Sequence, residues 1–221
     1  RQQPEPEGAE SRLDPENHYP HPCMELTTDG TLIAGFLDPA EKRFILARGG
    51  INGFVLQPLF GDFEGSDPGG RYATVNEHPV GRYCDIVKDD AGVHVVIPDE
   101  QTWSLLSYRG PFEGAGILQE VDGGQPGQRQ IIGADPAVRR TDDGRLVAIY
   151  QDGTQNDIRM NIYRPETGWG QPRIIAAEGA LGFDNSLEIV GNEAIIGTVE
   201  LRATQGGRDN SQAHVFRVPL N

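Results

Sequence analysis

The chain has little of several features that commonly define a protein class. It holds two cysteines, two methionines and two tryptophans in 221 residues, and aromatic residues make up only 7% of it. No apolar run approaches the roughly 20 residues of a membrane-spanning helix, so we expect no transmembrane segment. Apolar residues alternate instead of recurring at spacings of three and four, which disfavours a helical bundle.

Positive charge is also scarce. Lysine and arginine number 19 against 33 aspartate and glutamate residues, for a net charge of −14. Because phosphate binding needs a cationic surface, nucleic acid is not an expected partner. The G-x-S-x-G, H-E-x-x-H, phosphate-loop and dinucleotide-binding motifs are missing as well. The sequence therefore favours a binding or scaffold function over catalysis.

Glycine and proline, with 29 and 16 residues, punctuate many short alternating segments. Residues 135–171 form one complete unit, in which an Asp-Asp-Gly turn, a polar loop and a Gly-Trp-Gly turn separate three predicted strands. Apolar runs of period two that are cut by Asp-Gly turns are typical of β-hairpins. The unit therefore predicts a small antiparallel sheet.

This unit recurs four times. Its second strand with the preceding turn reads TTDGTLIAGF, KDDAGVHVVI, TDDGRLVAIY and VGNEAIIGTV, and its third strand ends in ILAR, LSYR, NIYR and HVFR. Repeats of about 40–50 residues that each form a small antiparallel sheet are typical of propeller blades. We predict an all-β, four-bladed β-propeller of antiparallel sheets; a β-sandwich with accidental self-similarity is the alternative.

The repeats also divide the chain. Residues 1–16 are an acidic, Pro-containing tail or linker, and residues 17–221 are predicted to form the propeller domain. The fourth strand of the first blade is either 53–59 or 71–75. The last repeat ends without a fourth strand, so the segment before Cys23, including Tyr19, is predicted to pair beside 213–218 and close the ring. Alternatively, the chain is a four-bladed piece of a larger ring.

The repeat unit resembles that of sialidase-type propellers, which carry Asp-boxes. The resemblance rests on DPAV at 135–138, DDG at 142–144 and LVAIY at 146–150, followed by Tyr163-Arg164 and Gly168-Trp169. The turns at 28–30 and 141–144 lack the tryptophan of the complete box. Sialidases have six blades, so four-bladed rings such as hemopexin-like domains are the nearest architectural parallel. That resemblance implies a binding or docking module, often with an ion in the axial channel.

The residue that opens each repeat is small and is predicted to lie on the strand nearest the axis, where blades converge. These residues are Cys23, Cys84, Ala137 and Ser186. A disulfide between the two cysteines would join neighbouring blades, but it requires Cα atoms about 4.4–6.8 Å apart. Equivalent side chains point the same way round a ring, which makes such a bond difficult, so a disulfide, two buried free thiols and a metal-binding role all remain open.

Two positions upstream lies a second set of equivalent residues: His21, Arg82, Asp135 and Asp184. We expect this set at one mouth of the channel. An imidazole, a cation and two carboxylates can bind a polar ligand or perform acid–base chemistry. Two carboxylates about 5–9.5 Å apart can also cleave a glycosidic bond. A self-satisfied ring of ion pairs is the structural alternative.

Four arginines end the third strand of the repeats, and we predict a structural role for them as salt bridges between blades: Arg48, Arg109, Arg164 and Arg217.

Two sets of residues could bind a metal ion. His18, His21 and Cys23 offer ligands for copper or zinc, although residues three apart in an extended segment face opposite sides. The Asp-rich turns and the axis offer oxygen ligands for calcium or another ion, but tight turns explain the aspartates equally well.

These observations predict an extracytoplasmic, secreted or periplasmic binding or scaffold module. Its ligand is a protein or a glycan, held at the channel mouth by His21, Arg82, Asp135 and Asp184. A small glycan hydrolase or lyase that uses the same residues is the enzymatic alternative. A metal-holding protein that uses His18, His21 and Cys23 is the third hypothesis.

Overall fold

The structure is a computed structural model. It describes residues 21–38, 43–50, 52–59, 61–63, 83–89, 92–99, 102–114, 116–124, 130–202 and 211–221. Every regular element in these ranges is a β-strand, which confirms the all-β prediction. The same ranges contain no helix that is long and apolar enough to cross a membrane.

The strands form four sheets that follow one another along the chain. The first contains β1 (Cys23–Leu26), β2 (Leu32–Asp38), β3 (Arg43–Gly50) and β4 (Gly53–Pro58). The second contains β5 (Gly61–Phe63), β6 (Asp85–Lys88), β7 (Val93–Asp99), β8 (Ser104–Gly110) and β9 (Gly116–Asp122). The third contains β10 (Ile132–Arg140), β11 (Leu146–Asp152), β12 (Asp157–Arg164), β13 (Gly168–Trp169) and β14 (Arg173–Ala176). The fourth contains β15 (Ala180–Val190), β16 (Glu193–Leu201) and β17 (Gln212–Pro219).

Consecutive strands pair as antiparallel hairpins, and the first strand of each repeat forms one side of its sheet. The fourth strand of the first sheet is β4, the earlier of the two predicted segments. The short strand β5 was not predicted. It runs parallel to β9, with Gly61 opposite Gly116, and so adds to the second sheet instead of the first. The chain thus ties the first two sheets together.

The turn between β1 and β2 is repeated between β10 and β11. In each, a glycine N–H donates to the carbonyl of a threonine three residues earlier, at 2.9 Å in the first turn and 3.0 Å in the second. Gly30 and Gly144 have φ of 81° and 86°, in the left-handed region that favours glycine. The same local chemistry therefore produces the same hairpin in two repeats.

Apolar side chains between successive sheets form three clusters in the described part of the chain. The first joins sheets one and two around Leu46 and Tyr108, and the second joins sheets two and three around Leu105 and Tyr150. The third joins sheets three and four around Ile149. Because the third sheet has neighbours on both faces, β11 is buried along its whole length.

Closure of a four-sheet ring stays a prediction. Among the described residues no apolar cluster joins the fourth sheet to the first, and β17 is the edge of its sheet. Met24 and Leu56 on the first sheet are 62% and 61% exposed, and Val215 on the fourth is 71% exposed. The predicted closing residue Tyr19 and the predicted tail at 1–16 lie outside the described residues.

Two of the four small residues predicted on the inner strands lie in tightly packed surroundings. Cys23 and Ala137 are buried, and a Cβ on Gly35 would lie 2.6 Å from the ring of Phe44. Cys23 and Cys84 form a disulfide with Cα atoms 5.4 Å apart, which decides between the two alternatives for these cysteines. Ser186 is exposed, because no described sheet covers its side of the fourth sheet.

Candidate functional site

Two aspartates occupy matching irregularities in the inner strands of neighbouring sheets. Asp135 lies in β10, where the pairing with β11 shifts between Ala134 and Ala137. Asp184 lies in β15, where the pairing with β16 shifts between Phe183 and Ser186. A bulge bends its strand and redirects a side chain, and bulges are common beside active sites.

Both aspartates have a backbone conformation that is rare for residues other than glycine. The φ of Asp135 is 44° and that of Asp184 is 48°. Few non-glycine residues adopt the left-handed region, and aspartate is one of those that do so more often, because its short polar side chain can form local hydrogen bonds. Asp135 also precedes Pro136, a position that favours extended backbone. Such strain persists where the surrounding structure enforces it and concentrates at ligand sites.

Hydrogen bonds join the two bulges. The backbone N–H of Asp184 donates to Oδ2 of Asp135 at 3.4 Å. The amide of Asn185 donates to the carbonyls of Asp135 and Gly182 at 2.8 and 3.0 Å. Thr198 on β16 accepts from the N–H of Gly182 at 3.1 Å. The relative position of the two carboxylates is therefore set by the contact between the third and fourth sheets.

The two carboxylates lie in different environments. Asp184 is exposed, whereas Asp135 is half-buried. Burial raises the pKa of Asp135; the N–H of Asp184 and the charge of His21 lower it, and the negative charge of Asp184 raises it further. Burial thus favours the protonated form of Asp135, and the neighbouring carboxylate of Asp184 contacts solvent.

His21 and Tyr83 lie on the side of the site that the first two sheets form. The rings of His21 and Tyr83 stack with centroids 4.8 Å apart and planes inclined by 17°. Each ring lies within two residues of a disulfide cysteine, so the covalent link between β1 and the start of β6 holds the two rings together. The charge of His21 is near enough to Asp135 to affect its pKa.

Three of the four residues predicted at the mouth therefore lie near one another: His21, Asp135 and Asp184. Arg82 falls outside the described residues. Sequence reasoning missed Tyr83, although it directly precedes Cys84 and occupies the position between two residues that had been singled out. The signal that could have identified Tyr83 is its aromatic ring directly after Arg82, a member of the predicted polar set.

The metal-binding hypothesis loses one ligand. Thiolate sulfur is the metal-binding form of cysteine, and Cys23 is in a disulfide. His18 lies outside the described residues, which contain no group of three or more His, Cys, Asp or Glu side chains that could hold a metal. In the turn before β11, Asp143 accepts hydrogen bonds from the Thr141 hydroxyl and from Arg145. That turn needs no calcium to explain its aspartate.

Two of the four repeated arginines contact the next sheet through aromatic rings. The guanidinium of Arg48 lies 5.8 Å from the ring centroid of Phe112, and that of Arg109 lies 5.3 Å from that of Tyr163. Arg217 approaches Glu193 of its own sheet at 3.6 Å. For Arg48 and Arg109 the contact with the next sheet is therefore a cation–π contact. Among the described residues, neither Arg164 nor Arg217 forms a salt bridge to another sheet.

A buried polar network was also missed. Asp122 accepts from the Tyr150 hydroxyl at 2.9 Å and from Arg159 at 3.1 Å, and Arg159 also donates to Asp152. Burial raises the pKa of Tyr150 well above its ordinary value. These residues come from β9, β11 and β12, so their pairing depends on how the second and third sheets meet. One guanidinium thus pairs with two buried carboxylates across the contact between the second and third sheets, which indicates a structural role.

Asp85 has a similar structural role between the inner strands. Its Oδ2 accepts from the backbone N–H of Val138 and from Arg139, both at 2.8 Å. Burial raises the pKa of Asp85, and these hydrogen bonds oppose the rise. The contact joins β6 to β10 and helps to hold the axis on which the candidate site is built.

Comparisons with known proteins support the fold. No protein-family model and no curated protein matches the chain. A solved structure of a bifunctional GH43-CE protein of Bacteroides eggerthii is similar, with a TM-score of 0.55 and 12% identity over 90% of this chain. An α-L-arabinofuranosidase of the GH43 group from Clostridium thermocellum has a TM-score of 0.53 and 11% identity over 88% of this chain.

These likenesses show a β-propeller fold, and at such identities they show the fold alone. The chain spans 26% of the Bacteroides protein and 67% of the Clostridium protein. The likenesses do not confirm the resemblance to Asp-box propellers that the repeats indicated, and they do not confirm a ring of four blades.

Proposed function

We propose that this protein binds glycans through a site formed by Asp135, Asp184, His21 and Tyr83. The observation that carries the proposal is the matched pair of left-handed bulges at Asp135 and Asp184. Two neighbouring sheets independently hold a carboxylate in an unfavourable backbone conformation, and both carboxylates lie at the inner strands. Strain of that kind is expected where a ligand must be contacted.

The chemistry of the site suits a sugar. Ionised carboxylates are acceptors only, with about four lone-pair positions each, and they pair well with neighbouring hydroxyl donors. The stacked rings of His21 and Tyr83 add a partly apolar surface with polar ends beside them. Two acceptors next to an aromatic surface match a ring that has hydroxyls at its edge and C–H groups on its faces.

Hydrolysis of a glycosidic bond is the second candidate, and one observation favours it. Burial raises the pKa of Asp135 while its neighbour Asp184 is exposed. Two carboxyl groups in unlike environments are what general acid and base roles require. One of the similar structures is an α-L-arabinofuranosidase, which makes arabinose-containing glycans a sensible first substrate set.

The disulfide supports an extracytoplasmic location for this function. Disulfides form and persist in secreted and periplasmic proteins and are rare where thiols are kept reduced. The Cys23–Cys84 bond joins the two segments that carry His21 and Tyr83. We therefore propose that the site is formed in an oxidising compartment.

The test is binding and turnover on a panel of arabinans, xylans and neutral oligosaccharides. We expect Asp135→Asn and Asp184→Asn each to weaken glycan binding at least about tenfold, the loss of one charge-assisted hydrogen bond. Asp142→Asn is the matched control, because Asp142 is exposed in the turn at the other end of β10. Thermal unfolding checks that each variant folds.

The outcomes separate the two candidates. Binding without release of reducing sugar establishes a binding protein, and release that both substitutions abolish establishes a hydrolase. Unchanged glycan binding in both folded variants would show that Asp135 and Asp184 do not form the glycan site. Failure of the wild-type protein to bind or cleave any member of the panel would reject glycans as its ligand.

A further inference from the structure

One face of the first sheet has no partner sheet in the described part of the chain. Residues pair across its four strands in rows, and one row runs from Met24 through Ala34 and Ala47 to Leu56. Successive side chains of a strand point to opposite faces, and Leu46, next to Ala47, lies in the apolar cluster that the first two sheets share. The row from Met24 to Leu56 therefore points away from the second sheet, on what we call the open face.

The open face is apolar across all four strands. The rows beside the first contain Leu26, Leu32, Gly49 and Phe54 on one side and Phe36 and Ile45 on the other. None of these rows holds a charged residue, although 24% of the residues of the chain are charged. Leu26 is 69% exposed and Phe54 is 50% exposed. Large apolar side chains that reach water together, with no charge between them, are typical of an interaction surface.

The open face has the size of a weak interface. Four strands about 4.8 Å apart and about 20 Å long cover roughly 400 Å². Two such faces packed together bury roughly 800 Å², which is below the roughly 1,200 Å² at which stable complexes begin. We therefore expect an association that is reversible, with a Kd in the micromolar range or weaker.

Two other occupants from the same chain fit this face poorly. The uncovered side of the fourth sheet carries charge, since Arg217 lies 3.6 Å from Glu193 there and Glu188 is largely exposed on the same side. Packing that side on the open face would bury these charges against apolar side chains, which is costly. Residues 1–16 offer Leu13 as their only large apolar side chain. A partner for the open face must itself be flat, apolar and uncharged.

A second open face meets this requirement. A contact between identical surfaces around a twofold axis would bury no charge here, so the repulsion between two chains of net charge −14 stays outside the contact. We propose that two copies of the chain pack open face against open face. The twofold axis lies parallel to the strands, so that β1 of one copy lies over β4 of the other.

The inner strands decide this orientation. Strand β1 contacts β6, and β10 contacts both β6 and β15, so the inner strands of one chain already fill the space around their axis. A twofold axis across the strands would lay β1 over the β1 of the second copy and bring two sets of inner strands into the same space. A twofold axis along the strands instead places the inner edge of each first sheet over the outer edge of the other.

The experiment is sedimentation velocity over about 5–500 μM protein, at low and at high salt. We expect a monomer–dimer equilibrium that tightens with salt, because salt screens the repulsion between two acidic chains and leaves an apolar contact intact. Leu56→Lys should weaken dimerisation at least about tenfold, since it places a charge in the contact, and Leu26→Lys, at the opposite edge of the open face, should do the same.

Val215→Lys is the matched control, because Val215 is 71% exposed on the uncovered side of the fourth sheet. All three substitutions add the same positive charge, so a difference between them reflects position alone. A dimer that both open-face variants weaken and Val215→Lys retains supports the proposal.

Three results would overturn it: a monomer at every concentration, a dimer that either open-face variant leaves unchanged, or assemblies that grow beyond two chains. Thermal unfolding checks that each variant folds. If one open-face variant does not fold, Phe54→Lys takes its place in the same measurement, because Phe54 is a half-exposed residue of the same face.

Discussion

Removing the Cys23–Cys84 disulfide should destabilise the protein by an amount that the chain separation predicts. The bond joins residues 61 positions apart, and in the chain-entropy model a loop of that length contributes about 4 kcal/mol at 25 °C. For a domain of about 200 residues, that corresponds to a fall in Tm of about 8–16 °C. The bond also joins the inner strands of the first two sheets, beside the apolar cluster that these sheets share.

The assay is urea unfolding at 25 °C of wild-type protein and the Cys23→Ala/Cys84→Ala variant, each with and without a reductant. We expect the reductant to lower the free energy of unfolding of the wild type by about 4 kcal/mol and to leave the variant unchanged. Reduction changes the bond without removing a side chain, so it separates the cross-link from the loss of packing at buried Cys23. A variant as stable as the oxidised wild type would refute the entropic reasoning.

The remaining predictions concern packing and acid stability. Leu46 is fully buried between the first two sheets, so Leu46→Ala should lower the free energy of unfolding in urea by about 2–5 kcal/mol. Leu56 is 61% exposed, so Leu56→Ala should change that free energy by less than about 0.5 kcal/mol. Equal effects of the two substitutions would contradict the assigned faces of the first sheet. The hydrogen bonds from Arg145 and Thr141 lower the pKa of Asp143 to about 2. Its stabilisation is therefore present above pH 4 and lost as pH falls toward 2, so Asp143→Asn should flatten the acid unfolding curve in that window; an unchanged curve would count against these bonds.

The repeats in the sequence predicted most of the strands, because a strand and its turn are decided by neighbours in the chain. The alternation at 146–150 and the Asp-Asp-Gly turn before it appear in the structure as β11 and its hairpin. Strand β5 was not predicted, because three residues have no periodicity and their partner lies in another sheet.

The site was predictable in part. Equivalent positions in the repeats brought Asp135, Asp184 and His21 to the same end of the inner strands, since equivalent residues of packed blades lie at similar distances from the axis. Their bulges were not predictable, because a bulge depends on the register of two strands. The contact of Arg109 with Tyr163 was missed for a related reason: Arg109 belongs to β8, and the ring that it meets belongs to the third sheet.

The sequence by itself determined the four repeats, the hairpins within each of them and the small residue that opens each one, since these follow from local alternation, turn chemistry and spacing. Only the tertiary structure decided that the two cysteines are joined, that Arg48 and Arg109 meet aromatic rings and that two aspartates share one strained corner. Those outcomes depend on the angle and separation at which two sheets pack, and that is a property of pairs of repeats that no single repeat contains.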